Sequence, residues 1–160
     1  MTRNVGIAID LSPTSRYALR WALEHFARDG DHIFVLVVRK KEGEDTALFE
    51  KAGTPLIPMH DYDEHVLDKY GIQPDPEVFA TIREHREKKK FAVDGKVYYG
   101  DAREKIIEAV GDLKLNLLVL GSRGLGTVKR ALLGSVSNYV INNAPCPVTV
   151  VKLPESQSNS

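Results

Sequence analysis

The chain has 160 residues, the size of a single domain with one hydrophobic core. Its 22 Lys and Arg residues balance its 22 Asp and Glu residues, so no overall field draws it to nucleic acid or to an anionic membrane. The apolar runs are far shorter than the roughly 20 residues that a membrane-spanning helix needs. We therefore expect no nucleic-acid or membrane partner. The single cysteine, Cys146, excludes an internal disulfide, and together these features predict a cytoplasmic location, with the nucleus also compatible.

Strand and helix signals alternate from the N-terminus. Residues 5–9 are apolar and β-branched and predict a strand that ends at Asp10. Ser12 and Pro13 then supply a hydroxyl N-cap and a proline at the first helical position. We expect a helix from there to about residue 28.

One more strand signal is followed by a long segment without periodic apolar residues. Residues 33–38 form a continuous apolar run, which is typical of a central parallel strand with both faces covered. Residues 39–75 are charged and contain three prolines, so we expect a variable, partly ordered flap with a short helix near residues 63–70. Two histidines and three carboxylates in residues 60–65 could suggest a metal site, but their spacing matches no zinc motif. A solvated flap is the favoured interpretation.

Regular alternation returns after the flap. A capping box from Asp101 to Glu104 predicts the start of one of three further helices. The basic end of the first of these helices favours a solvated helix terminus over a nucleic-acid patch. The predicted helices cover residues 76–90, 101 onwards and 135–143, and the predicted strands cover 93–99, 115–120 and 147–151. Residues 1–153 form the expected domain, and 154–160 form a polar tail that we expect to be disordered.

Five strands separated by helices predict an α/β fold with a Rossmann-like, doubly wound parallel sheet and helices on both faces. Ligands bind such sheets beyond the carboxyl ends of the strands, where the strand order reverses. In the order 3-2-1-4-5, the ends of the first and fourth strands flank that crevice. Asp10 and Gly121 would then lie close together.

The segment after the fourth strand is the most informative motif. Gly121-x-x-Gly124 is followed by nine residues and then by Gly134-Ser135 at the start of a predicted helix. Glycines permit positive φ and a close approach of ligand to backbone, and a helix start offers unpaired N–H groups to an anion. The spacing is neither a P-loop nor a dinucleotide fingerprint. It predicts a phosphate site, with ordinary turn glycines as the alternative.

This glycine motif, the Asp10 strand end and the closing segment 144–151 together resemble the universal stress proteins, and the surrounding sequence looks like the plant single-domain members. The resemblance implies a five-stranded Rossmann-like domain of order 3-2-1-4-5. Members that carry the motif bind ATP or AMP. The resemblance also allows a divalent ion such as Mg²⁺ beside ATP.

The resemblance implies binding roles for eight residues. Asp10 would meet the ribose, and the backbone of Val38 would meet the edge of adenine. Leu120 and Gly121 would line the ribose side. Four further residues would hold phosphate: Gly124, Gly134, Ser135 and Val136.

The function that follows is an adenine-nucleotide sensor or switch in the stress response, with an unknown protein partner. The alternative is a slow ATPase or phosphotransferase at the same site, for which only Lys129 or Arg130 could replace the P-loop lysine. Cys146 is interpreted as a small core residue. Residues 147–151 would form an exposed apolar edge strand, which predicts a homodimer unless the tail or the flap covers that edge.

Overall fold

A computed structural model of the chain describes residues 2–10, 12–40, 49–59, 70, 75–122 and 133–154. Its strands are β1 (Asn4–Ala8), β2 (His32–Arg39), β3 (Ile57–Pro58), β4 (Ala92–Tyr99), β5 (Leu117–Gly121) and β6 (Val148–Val151). Its helices are α1 (Pro13–Trp21), which continues as a π-helical segment (Ala22–Phe26), α2 (Pro76–Arg86), α3 (Ala102–Asp112) and α4 (Ser135–Asn143).

The strands form a six-stranded sheet in the order β3-β4-β2-β1-β5-β6. β1 pairs in parallel with β2 and β5, β2 pairs in parallel with β4, and β5 pairs in parallel with β6. These five strands have the predicted 3-2-1-4-5 arrangement, so the predicted fold is confirmed. The sheet differs from the prediction by β3, a two-residue strand antiparallel to β4. Two residues are too few to show a strand periodicity in the sequence.

Helices cover both faces of the sheet. On one face, α1 and α2 bury Leu19, Leu23 and Ile82 against the strands. On the other face, α3 and α4 bury Ile106 and Val140. The central strands β1, β2 and β5 are therefore covered on both sides, which is the reason that they are mostly apolar in the sequence.

The predicted first helix is only partly regular. α1 begins after Ser12, whose Oγ accepts the N–H of Ser15 at 3.1 Å, but the helix becomes π-helical from Ala22. The Lys89 ammonium donates to the Leu23 and Glu24 carbonyls of this segment at 3.1 and 2.8 Å. Lys89 belongs to the basic end of the helix that was predicted over residues 76–90. This basic residue therefore caps carbonyls at the end of the first helix.

The described part of the flap covers the β4 edge of the sheet. Thr54 donates its N–H to the Val97 carbonyl at 2.9 Å, and its Oγ1 accepts the Val97 N–H at 3.1 Å. Met59 lies over Gly95, where an added Cβ would come within 2.9 Å of the Met59 sulfur. This part of the flap thus lies at the edge opposite β6. The helix predicted near residues 63–70 and the tail from residue 155 lie outside the described residues.

The helices in the described part of the chain are all too short or too polar to cross a membrane.

Thr54 offers a test of the contact that closes the β4 edge. Thr54→Val should lower the free energy of unfolding by about 1–3 kcal/mol, because it leaves the buried Val97 N–H without its acceptor. Thr81→Val is the matched control, since the Thr81 hydroxyl only adds a second donor to a helix carbonyl, that of Glu77. Urea denaturation measures both variants. Equal losses of unfolding free energy in the two variants would show that the Thr54–Val97 hydrogen bond makes no special contribution to stability.

Candidate functional site

The site depends on where β1 ends. β1 pairs with β2 as far as Leu36 and with β5 as far as Val119, whereas β2 continues to Arg39 and β5 to Gly121. The chain leaves the sheet at Asp10, whose carboxylate accepts the N–H of Ser12 at 3.0 Å. The two neighbouring strands therefore flank a gap above the end of β1.

Val38 presents its backbone to this gap. The Ile9 N–H donates to the Leu36 carbonyl at 2.9 Å, so the backbone polar groups of Leu36 point toward β1. Backbone groups of alternate residues in a parallel strand point to the same side, so those of Val38 also point toward β1. β1 pairs with β2 no further than Leu36. The N–H and carbonyl of Val38 consequently face the gap.

A cavity of about 730 Å³ occupies this gap and extends over the ends of four strands, from β4 to β5. Besides the strand ends, the first turns of α3 and α4 line it. The structure brings seven of the eight predicted site residues together in its wall: Asp10, Val38, Leu120, Gly121, Gly134, Ser135 and Val136. Gly124 lies outside the described residues. The roles of all eight in ligand binding remain predictions.

The start of α4 differs from the starts of the other helices. In α1, α2 and α3 a side chain at the N-cap accepts a backbone N–H, whereas α4 has Gly134 at this position and no side-chain cap. The first hydrogen bond within α4 joins the Asn138 N–H to the Gly134 carbonyl at 3.0 Å. The N–H groups of residues 135–137 precede that bond and have no partner within the helix. They give the cavity a set of donors suited to an anion.

The start of α3, on the opposite side of the cavity, already has an anion of its own. The Asp101 carboxylate accepts the Arg103 N–H at 2.9 Å and the Arg103 guanidinium at 3.1 Å. These bonds from Arg103 lower the pKa of the Asp101 carboxyl, so it stays ionised at neutral pH. An external anion is thus disfavoured at α3 and favoured at α4.

Two of the motif glycines do not use the positive φ that glycine permits. Gly134 has φ −62°, and Gly121 is not among the described glycines with positive φ. At Gly121 the constraint is space, because an added Cβ would lie 2.9 Å from the Thr14 side chain and 3.2 Å from the Ser15 nitrogen. Positive φ is therefore not the reason for glycine at these two positions. Gly121 instead allows the first turn of α1 to contact β5.

Other candidate residues from the sequence have mixed outcomes. Lys129, Arg130 and the segment 60–65 lie outside the described residues. Cys146 is partly buried, and burial raises the pKa of its thiol, which fits a packing residue better than a reactive one.

The cavity wall also contains residues that the predicted binding set does not include, among them the polar residues Ser15, Lys40, Asp101 and Ser137. A signal existed for Asp101, because it follows a parallel strand and the carboxyl ends of such strands meet at one edge of the sheet.

The model of the universal stress protein family matches residues 1–152. The chain belongs to the universal stress protein family. A curated relative, universal stress protein PHOS34 of Arabidopsis thaliana, is 31% identical over 169 residues, which cover 97% of this chain. This chain spans 64% of the length of that relative.

Solved structures share this fold. The structure of hypothetical protein MJ0577 matches with a TM-score of 0.64 and 21% identity, covering 96% of this chain and 97% of the other. A universal stress protein family protein from Arabidopsis thaliana with AMP bound matches with a TM-score of 0.59 and 19% identity, covering 97% of this chain and 94% of the other. At these identities the similarity establishes the fold of this universal stress protein.

The contact between α1 and β5 can be tested at Gly121. Gly121→Ala should lower the free energy of unfolding by about 1–3 kcal/mol, because its Cβ would press on the backbone of α1. Gly111→Ala is the control, since a Cβ there meets nothing within 4 Å and alanine favours a helix by up to about 1 kcal/mol. Chemical denaturation measures both variants. A Gly121→Ala protein as stable as the parent would contradict the packing role.

Proposed function

We propose that this universal stress protein binds an adenine nucleotide, AMP or ATP, in the cavity above β1 and acts as a nucleotide-dependent switch. The observation that carries the proposal is the pairing of two features across one cavity: the uncapped first turn of α4 and the inward-facing backbone of Val38. The first feature suits a phosphate, and the second suits the edge of a base.

The base would lie against Val38. Its N–H and carbonyl provide one donor and one acceptor side by side, and adenine presents a ring-nitrogen acceptor beside its amino donor. The apolar side chains of Leu36 and Ile106 line the same part of the cavity and are almost fully buried. They would contact the face of the base and exclude water from its polar edge.

The sugar and phosphate would extend toward α4. Asp10 lies at the end of β1, between the Val38 side and the α4 side of the cavity, where its carboxylate could accept ribose hydroxyls. A carboxylate accepts several hydrogen bonds at once, so the bond from Ser12 does not prevent this role. The AMP-bound relative of the same fold supports a nucleotide of this kind.

A divalent ion would enter with the phosphates of ATP. The described residues contain no group of three or more His, Cys, Asp or Glu side chains that could hold a metal ion. The proposal therefore makes ion binding dependent on the nucleotide.

Calorimetric titration with AMP and ATP tests the binding proposal. We expect dissociation constants on the order of micromolar, equivalent to about −8 kcal/mol. Asp10→Ala should weaken binding by roughly 1–3 kcal/mol through the lost hydrogen bonds to the sugar. The absence of heat and of any thermal shift with both nucleotides, with and without Mg²⁺, would refute the proposal.

We also propose that the protein forms a homodimer through β6. β3 covers the β4 edge, whereas β6 ends the sheet and has no further strand beside it within the described residues. Val148, Thr149 and Val150 are only half-buried. Antiparallel pairing of β6 with its copy would cover this edge and close the assembly at two chains.

The direction of the β6 backbone provides a selective test of the dimer. Pro147 and Val151 carbonyls accept bonds from β5, so the alternate residue Val150 points its N–H toward the open edge. Val150→Pro should therefore remove an outward donor, keep the β5 bonds and give a folded monomer. Light scattering coupled to gel filtration gives the mass, and circular dichroism checks the fold. A parent protein with a mass of 17.8 kDa at tens of micromolar would refute the dimer.

A further inference from the structure

Ser137 is a cavity residue that the predicted binding set does not include. It lies in the first turn of α4 and is 5% exposed, and its hydroxyl donates to the Gly121 carbonyl at 2.7 Å. A second bond lies next to it, from the N–H of Gly134 at the N-cap of α4 to the carbonyl of Ser122 directly after β5, at 2.8 Å. These two bonds hold the start of α4 on the end of β5.

The direction of the Gly121 carbonyl follows from the pairing of β5 with its neighbours. Leu118 and Ser122 donate their N–H groups to β6, so the backbone of Gly121, which lies between them in the alternation, points the other way. That direction is toward β1, but β1 pairs with β5 only as far as Val119. The Gly121 carbonyl therefore faces the cavity beyond the end of β1. Among the described residues, the Ser137 hydroxyl is the donor to this carbonyl, which lies beside the N–H groups of α4.

We infer that Ser137 is a positioning residue that makes this site selective for phosphorylated ligands, an inference that rests on the proposed nucleotide function. Its hydroxyl has two effects. It fixes the first turn of α4, so that the N–H groups of residues 135–137 keep their direction. It also donates a hydrogen bond to the carbonyl oxygen of Gly121, whose partial negative charge would otherwise repel a phosphate. Both effects act on the anionic part of a ligand and leave the base side untouched.

The inference is tested by comparing AMP with adenosine in calorimetric titrations of the full chain. Ser137→Ala should weaken AMP binding about five- to tenfold, as expected for the loss of one buried hydrogen bond, and change adenosine binding less than about twofold. Ser137→Thr keeps the hydroxyl and should bind AMP as the parent does. Asn138→Ala is the control on the exposed side of the same helix turn.

Two outcomes of these titrations would overturn the inference. Equal losses for AMP and adenosine would show a general loosening of the cavity, and unchanged AMP binding by Ser137→Ala would show that the hydroxyl has no role. A parent protein that binds neither ligand would instead refute the proposed function.

Amide hydrogen exchange by NMR tests the positioning role without any ligand. In the ligand-free Ser137→Ala protein, the Gly134 amide should exchange at least about fivefold faster, because its bond to Ser122 would open more often. Amides of the β2–β4 ladder provide the internal reference. An unchanged Gly134 exchange rate would overturn the positioning role whatever the titrations show.

Discussion

The early end of β1 is the constraint on which the rest of the site depends. In a parallel sheet each inner strand supplies partners to both neighbours, so a strand that stops short leaves backbone groups unpaired on two sides. β1 stops pairing at Ala8, because the chain turns at Asp10 toward α1. On one side this exposes Val38 to the cavity, and on the other side it exposes Gly121. The protein satisfies Gly121 internally through Ser137.

The electrostatic character of the cavity follows from two helix starts with different N-cap residues. α3 begins at Asp101, whose ionised side chain satisfies its own helix and is neutralised by Arg103. α4 begins at Gly134, which has no side chain to perform this task. A cavity between two similar helix dipoles is thereby made asymmetric. Gly134 matters because it has no side chain that could cap α4. Its φ of −62° is accessible to any residue, so backbone conformation does not require glycine here.

Much of the fold could be predicted because its signals are local. Apolar runs indicated the central strands β1, β2 and β5, and Ser12 and Asp101 indicated two helix starts that the structure confirms. What escaped prediction depends on contacts between distant segments. β3 exists because Thr54 and Met59 bond to β4, and nothing in its own two residues predicts a strand. The segment Ala22–Phe26 was predicted as helical, but its π-helical geometry was not.

The candidate site shows the same division. The glycine motif and Asp10 could be found from their spacing and from the strand order. The reason for Gly121 could not, because its neighbour Thr14 lies more than one hundred residues earlier in the chain. The contact of Ser137 with Gly121 was also invisible, because a serine in a first helix turn normally bonds locally.

The position of β1 in the sheet also affects the order in which the molecule can assemble. Asn4 exchanges two hydrogen bonds of 2.7 Å with Asn116, a residue 112 positions later, whereas β2 follows β1 closely in the chain. Pairing of β1 with β2 therefore closes a shorter loop than pairing of β1 with β5, and the shorter loop has the smaller entropic cost. The cavity has one wall from each half of the chain. A molecule bound across it stabilises the docking of the two halves, so occupancy would favour the completed fold over any partly assembled form.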